Sequence, residues 1–430
     1  MGFGRGCMPK ATAKTSTVTK EALERGRARV EWAFEHMGVL RKVRARLVKE
    51  RAFRGLKVGM ALHVEAKTAA LALSIQEAGA EVRLASCNPE STDNAVAVAL
   101  NEHYGLETFA KKGESKEEYY ANLNAVLDLK PDFVIDDGGD LTFLAHQKRT
   151  DALKGIRGGC EETTTGVVRM RSMAAEGKLR YPIIDVNNAK MKHLFDNRYG
   201  TGQSTFDGLF TATNMLVAGK TFVMAGYGWC GRGIATKARG LGADVIVTEI
   251  DPVKAVEARL DGFRVMPMSQ ACREADFIVT ATGCSAVVSK AHVPLLKDRV
   301  VLANAGHFDV EVDKDALAAA SSSVREVRDF VDEYELKDGR RVYLLGHGRL
   351  VNLVAGQGHP VEIMDMSFSL QALSLEHLVR HGKELEPRVY PVPEAADETV
   401  ARHKLEELDL GIDRLTPEQE KYLRSWEEGT

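Results

Sequence analysis

The sequence predicts an α/β protein built on two doubly wound parallel sheets, with a short C-terminal helical segment. Three observations carry that expectation. Short apolar runs alternate with helical patterns from LKVGMAL (56–62) through EVRLAS (81–86) and a helix near 115–128 to DFVIDD (132–137). A second series of the same kind runs through KTFVMAG (220–226), ADVIVTE (243–249), DFIVTATG (276–283) and RVVLANAG (299–306). Within it, the loop GYGWCGRG (226–233) joins an apolar strand to a helix. Strands that alternate with helices form parallel sheets wrapped on both faces.

At 430 residues the chain is long enough for two or three domains, taking about 150 residues per domain. Apolar content of 44% and charged content of 28% are ordinary for a globular protein. A net charge of -3 offers no basic field for nucleic acid, so a small-molecule partner is expected. No run approaches the roughly 18 apolar residues of a membrane helix, and the N-terminus lacks the apolar core of a secretory signal, so the expected location is cytoplasmic. Cys7, Cys87, Cys160, Cys230, Cys272 and Cys284 are scattered without a CxxC pair, which disfavours both a zinc ribbon and a disulfide framework. Free thiols and no metal are expected.

Residues 1–20 read as a flexible tail, without apolar periodicity. The helical stretch 203–219 leads into the second alternating series, and 362–382 leads out of it. If the chain then returns to the first domain, that domain is discontinuous, over 21–200 and 353–385. It would bind substrate, with 201–352 inserted as a nucleotide-binding domain and 386–430 forming a C-terminal helical segment.

Gly226, Gly228 and Gly231 make a GxGxxG pattern, which is weak by itself. Here it follows a strand and opens a helix, the arrangement in which backbone N-H groups cradle a pyrophosphate at the positive end of the helix. Glu249 closes the next strand, where an acid receives the ribose hydroxyls of NAD and repels a 2'-phosphate. The inserted domain is therefore read as Rossmann-type and the cofactor as NAD. NAD binding does not by itself distinguish a dehydrogenase from an enzyme that recycles its cofactor.

Six further motifs bear on that choice: LHVEAKTA (62–69), DDGGDLT (136–142), EETTTGVVR (161–169), VNNAKMKHLFDNRYG (186–200), NAGHFDVEV (304–312) and GRLVNLVAGQGHP (348–360). Together they closely resemble the adenosylhomocysteinase (S-adenosylhomocysteine hydrolase) family, in order, from about residue 25 to 425. The resemblance implies reversible hydrolysis through redox chemistry. Bound NAD oxidises the ribose 3'-hydroxyl, the C4' proton becomes acidic, homocysteine leaves, water adds, and the ketone is reduced again. It implies a homo-oligomer, a dimer or homotetramer, serving the methyl cycle.

Carried over position by position, Lys192 and Asp196 match the pair that engages the 3'-hydroxyl. They stand four apart, on one face of a helix. Alone, such a pair is more often a surface ion pair. A lysine that removes a proton needs its pKa lowered by burial or neighbouring charge. Asp137 matches the base at C4', and His63 and His307 match the histidines that serve the leaving thiol and the incoming water. Glu162 and Thr163 match substrate contacts, Asn187 supports the lysine, and His359 falls in the region where purine and homocysteine enter. Thr164, Thr165, Asn197, Asn304 and Asn352 match cofactor contacts.

Several positions depart from the family pattern. Glu65 and Lys67, beside Thr68 in the purine-binding stretch, stand where most members have Thr and Glu, and that Glu accepts from the adenine amino group. Lysine cannot accept, but it could donate to the 6-oxo group of hypoxanthine. The pair thus fits S-inosylhomocysteine as well as S-adenosylhomocysteine, unless Glu65 and Lys67 simply pair with each other. A KPDHYRY-like tail that reaches a partner's NAD site is lacking, so NAD is expected to be held less tightly. Thr201 stands for Cys, Asn188 for Asp and His347 for Glu. STDN (91–94) stands for STQD, with Asp93 expected to alter ribose or water contacts. The competing functions are a net nucleoside or hydroxy-acid dehydrogenase and a non-catalytic sensor.

Overall fold

The computed structural model describes residues 19–426. The expected tail lies outside that range except for Thr19 and Lys20. Helix Lys20–His36 begins there, capped by the Thr19 hydroxyl, which accepts from the Ala22 amide at 3.1 Å.

Two sheets organise the chain. The first uses β1 (Lys57–Ala61), β2 (Glu81–Ala85), β3 (Glu107–Phe109), β4 (Phe133–Asp136), β5 (Gly158–Glu161) and β6 (Ile183–Asp185). The second uses β7 (Thr221–Ala225), β8 (Asp244–Thr248), β9 (Arg264–Val265), β10 (Phe277–Thr280), β11 (Val300–Asn304), β12 (Ser321–Arg328), β13 (Val331–Leu336) and β14 (Arg341–Leu345). The chain then returns, and β15 (Val389–Pro391) pairs with β6 in the first sheet.

The first sheet has the order β15-β6-β5-β4-β1-β2-β3, and all its pairs are parallel. β1 lies between β2 and β4, so the winding reverses there, and a crevice opens at the carboxyl ends of β1 and β4. The second sheet runs β12-β13-β14-β11-β10-β7-β8-β9 and has the equivalent reversal between β7 and β10. Its central strands are continuous apolar runs because both faces are covered. Phe206, Phe222 and Phe277 stack through its core, with ring centroids 5.5 and 6.1 Å apart.

Two features differ from the sequence expectation. Residues after 385 do not form a purely helical segment: β15 extends the first sheet, and helix Glu394–Glu407 packs on helices Gly38–Glu50 and Val361–His381. The second sheet also continues past the expected strands through the antiparallel hairpins β12 to β14. Helix Val361–His381 is buried along most of its length, which is why 362–382 lacks a polar face. No helix among the described residues is long and apolar enough to cross a membrane.

Candidate active site

The turns after β1, β4, β5 and β6 converge at the first crevice and carry His63, Asp137, Glu162 and Asn187. From the second sheet, the turn after β11 brings His307 to the same place. Asp137 lies between the two imidazoles, with Oδ2 3.5 Å from His63 Nε2 and Oδ1 3.8 Å from His307 Nδ1. The His63 ring is oriented from behind, its Nδ1 2.6 Å from the Ser91 hydroxyl. Burial pushes His63 down to about 4 against the raising influence of Asp137, and burial lowers His307 as well. Two neutral imidazoles thus flank a carboxylate, an arrangement that can pass protons on either side of a bound molecule.

Two buried acids support this loop from below. Glu161, on β5, accepts from the amides of Gly138 (2.8 Å) and Thr163 (3.0 Å), and Asp136 accepts from Thr142 (2.8 Å). Burial raises Asp136 to about 7 and Glu161 well above the usual carboxylate range. Side chains alternate along a strand, so consecutive glutamates divide the work. Glu161 holds the loops, and Glu162 points to the lysine.

Lys192 Nζ lies 3.3 Å from Asp196 Oδ1, 3.6 Å from Glu162 Oε1 and 2.8 Å from Asn197 Oδ1. The shortest of these contacts is to the residue five along. His193–Gly200 is a π-helix, whose wider turn stacks i over i+5. Asn197, expected at the cofactor, holds the lysine here and donates in turn to Asn187 Oδ1 at 3.1 Å, while Asn187 Nδ2 reaches Thr164 Oγ1 at 2.9 Å. Asp196 also accepts from Ser367 Oγ (2.7 Å), and its Oδ1 lies 3.0 Å from His359 Nδ1. Gln371 donates to Glu162 Oε2 at 2.5 Å.

The lowered lysine pKa expected from sequence is not found. Burial alone would lower it, but Asp196 and Glu162 outweigh burial and leave Lys192 raised, an ammonium at any ordinary pH. Burial raises Glu162 to about 7 despite Lys192. Asp196 is depressed because Lys192 and His359 outweigh its burial.

At the far end of the crevice, Glu65 Oε2 pairs with Lys67 Nζ at 2.5 Å. The same ammonium donates to the carbonyls of Gln357 (2.9 Å) and His359 (2.8 Å). All three lysine protons are therefore engaged. Thr68 Oγ1 donates to the His63 carbonyl at 2.6 Å, so its hydroxyl braces the β1 turn. Thr201 Oγ1 lies 3.3 Å from His359 Nε2. Asp93, expected to alter ribose or water contacts, is occupied otherwise. It caps helix Asn94–Glu102 through the amides of Ala95 and Val96 and pairs with Arg29. Asn188 caps back onto Asp185, and His347 pairs with Asp332, each a local contact.

The glycine loop fits NAD. A Cβ on Gly231 would lie 2.0 Å from the Gly226 carbonyl, so only glycine lets helix Trp229–Gly240 start this close to β7. A Cβ on Gly228 would meet nothing within 4 Å, which marks the open side where a pyrophosphate can approach the backbone. Glu249 accepts from the amides of Tyr227 (2.7 Å), Ile250 (2.7 Å) and Asp251 (3.1 Å), which fixes its carboxylate beside the loop. Asn352 donates to Ser204 Oγ, and its Oδ1 is buried without a hydrogen-bond partner among the described residues. Asn304 is spent on its own turn: Nδ2 reaches the carbonyls of Gly306, Phe308 and Gly348, which positions His307. Thr165 lies half-buried in the first turn of helix Thr164–Ala175.

Sequence reasoning passed over Ser91, Glu161, Ser367, Gln371 and Cys87. Glu161 carried a signal, its place beside Glu162 at a strand end, and Ser91 another, as the first residue of the STDN segment. One potential ligand atom each from His63, Cys87 and Asp137 lies within 4.8 Å of the others, a cluster that sequence spacing does not reveal. Burial keeps the Cys87 thiol protonated.

Comparison with known proteins identifies the family. Residues 18–153 match the model of S-adenosyl-L-homocysteine hydrolase, and residues 197–358 match that of its NAD-binding domain. The chain is 54% identical over 405 residues to an S-inosyl-L-homocysteine hydrolase of Methanocaldococcus jannaschii, covering 94% of this chain and 97% of that one. It is 55% identical over 406 residues to an adenosylhomocysteinase of Thermoplasma acidophilum, covering 94% and 99%. Against an adenosylhomocysteinase of Aquifex aeolicus it is 54% identical over 407 residues, covering 95% and 97%. With matching domain models and relatives of this similarity along nearly its whole length, the chain belongs to the S-adenosyl-L-homocysteine hydrolase family.

Proposed function

We propose that this enzyme catalyses the reversible, NAD-dependent hydrolysis of S-adenosyl-L-homocysteine to adenosine and L-homocysteine. The observation that carries the reading is the convergence of two proton-handling centres. Lys192 with Asp196 and Glu162 lies at one, and Asp137 between His63 and His307 at the other. NAD, when bound, supplies reversible oxidation at the ribose 3' carbon, which acidifies the neighbouring C4' proton.

The rest falls to this chain's side chains. Lys192 passes one ammonium proton to the ionised Asp196 and takes the 3'-hydroxyl proton on the nitrogen lone pair this frees, so it need not begin as a free amine. Asp137 takes the C4' proton. His63 and His307, both neutral, serve the departing sulfur and the incoming water. Glu162, with Thr163, binds ribose hydroxyls. Thr164, Thr165, Asn352 and Glu249 belong with the glycine loop in holding NAD. Residues 21–200 with 353–385 form the substrate-binding part, 201–352 bind NAD, and closure of one on the other excludes water from the keto intermediate.

A second reading, S-inosyl-L-homocysteine as substrate, is favoured by Lys67. Its ammonium can donate to a 6-oxo group if it gives up one of its two carbonyl partners. Glu65, with one oxygen free of Lys67, can accept from the adenine amino group or from hypoxanthine N1-H. Homocysteine release from both substrates, measured side by side, decides between them.

We place the enzyme in the cytoplasm as a homo-oligomer. Ile250, Val253, Val256 and Leu260 form an apolar strip at and beyond helix Pro252–Leu260, with exposures of 99%, 74%, 60% and 82%. Sedimentation at micromolar concentration tests the assembly. A monomer there would contradict it.

A further inference from the structure

Between β3 and helix Lys116–Leu127, a short loop crosses from the first half of the molecule toward the second. Its backbone is tied at successive residues. The Lys112 amide donates to Asn94 Oδ1 at 2.9 Å, and the Gly113 amide donates to the Pro89 carbonyl at 2.9 Å. The buried Glu114 carboxylate then accepts from Asn122 Nδ2 at 2.6 Å. This leaves the half-buried Lys112 side chain aimed out of the loop. Its ammonium lies 3.3 Å from the Val354 carbonyl and 5.1 Å from the centroid of the Phe330 ring.

Phe330 belongs to the other half, and Val354 stands just where the chain crosses back from it, between Val351 and Ala355, which pack in that half's core. Val354 ends the short helix Val351–Val354, which carries Asn352 and leads into the stretch that offers the Gln357 and His359 carbonyls to Lys67. Phe330 turns between β12 and β13 with φ of 67°, a left-handed conformation that bulky side chains rarely adopt. Its carbonyl is pinned by the Gly346 amide at 2.8 Å. The strained turn presents an aromatic face to the Lys112 ammonium, and the Val354 carbonyl accepts its hydrogen bond.

We propose that Lys112 is a clasp: a positioning residue on the substrate-binding half that grips the NAD-binding half and holds the two closed over the site. It rests on the division of labour between the halves proposed above. Asn94 links the clasp to the chemistry. The same segment carries Ser91, which orients His63, so one loop sets the histidine and anchors the lysine that keeps the crevice shut.

The test uses the NAD-loaded protein and three variants. Lys112→Met keeps the stem and removes the charge, Lys112→Arg keeps a cation that can still lie over Phe330, and Asn94→Ala leaves the lysine but unties its backbone. Two measurements are made: release of radiolabelled NAD into excess unlabelled NAD, and the kinetics of homocysteine release, which give KM and kcat. Lys112→Met is expected to speed NAD release and raise KM by roughly tenfold each, the scale of one charge-assisted hydrogen bond and one cation-aromatic contact, with kcat within about twofold. Lys112→Arg should recover most of the loss, and Asn94→Ala should show a smaller rise in both quantities. NAD release and KM unchanged in both Lys112→Met and Asn94→Ala would overturn the clasp. NAD release needs no turnover. If Lys112→Met speeds it while the parent protein cleaves neither nucleosylhomocysteine, the clasp stands and the assigned reaction falls.

Discussion

Glu162→Gln tests how the buried charge around Lys192 is balanced. Burial outweighs the attraction of Lys192 and raises the Glu162 carboxyl from 4.5 to about 7. Between those values the folded protein binds more protons than the unfolded chain, so stability falls as pH rises through that window. The gap of about 2.5 pH units, at about 1.36 kcal/mol each, amounts to about 3 kcal/mol lost above pH 7. Glutamine has the shape of the protonated acid and carries no such cost, and Gln371 still has an oxygen to donate to. The variant should match the parent near pH 4.5 and exceed it by up to about 3 kcal/mol near pH 8.5. Asp136, also raised to about 7, titrates in both proteins and cancels in the difference. Denaturant unfolding at the two pH values, with protein and NAD held fixed, reads the effect. Activity should move the other way, with kcat/KM falling by roughly a hundredfold as the acid at the ribose is lost. A stability difference that is the same at both pH values would refute the account of Glu162.

Lys192→Ala should lower turnover by roughly a thousandfold while bound NAD survives desalting, because the cradle for NAD is built from the glycine loop and Glu249 and not from the lysine. Full activity in that variant would remove Lys192 from the 3'-oxidation. Lys67→Glu should shift the ratio of kcat/KM values at least about tenfold toward the adenosyl substrate, and an unchanged ratio would end the argument that Lys67 reads the purine. Gly231→Ala should abolish NAD binding in equilibrium dialysis, since its Cβ would stand 2.0 Å from the Gly226 carbonyl. Retained NAD would show that the loop can widen.

The parts of this site that could be read from sequence are those fixed by local spacing. The glycine loop and Glu249 follow from a strand, a turn and a helix in succession. Asp137, His63 and His307 came from matched motifs, and the fold explains why they meet: they lie in the turns after β4, β1 and β11, at or facing the first crevice. Spacing misled where the backbone departs from the regular helix. An α-helix puts i+5 about 140° away from i, so Asn197 could not be assigned to Lys192 until the π-helix His193–Gly200 brought them to 2.8 Å. The lysine's charge state was misjudged for a related reason. Glu162 and Ser367 approach it and its partner Asp196 from distant elements, and only their convergence decides which group is ionised. β15 went unseen because three residues ending in proline give no strand signal, although an edge position tolerates them. Nothing in the sequence sets Lys112 apart from the other lysines, and only the position of Phe330 and Val354 in space distinguishes it.

The most direct test of the central claim is a single-turnover experiment on the NAD-loaded enzyme, recording homocysteine and absorbance at the NADH band together, with each nucleosylhomocysteine in turn. A hydrolase that recycles its cofactor should release one homocysteine per substrate consumed, with NADH never exceeding the number of sites. NADH accumulating in proportion to substrate, or the absence of homocysteine from both substrates, would contradict it.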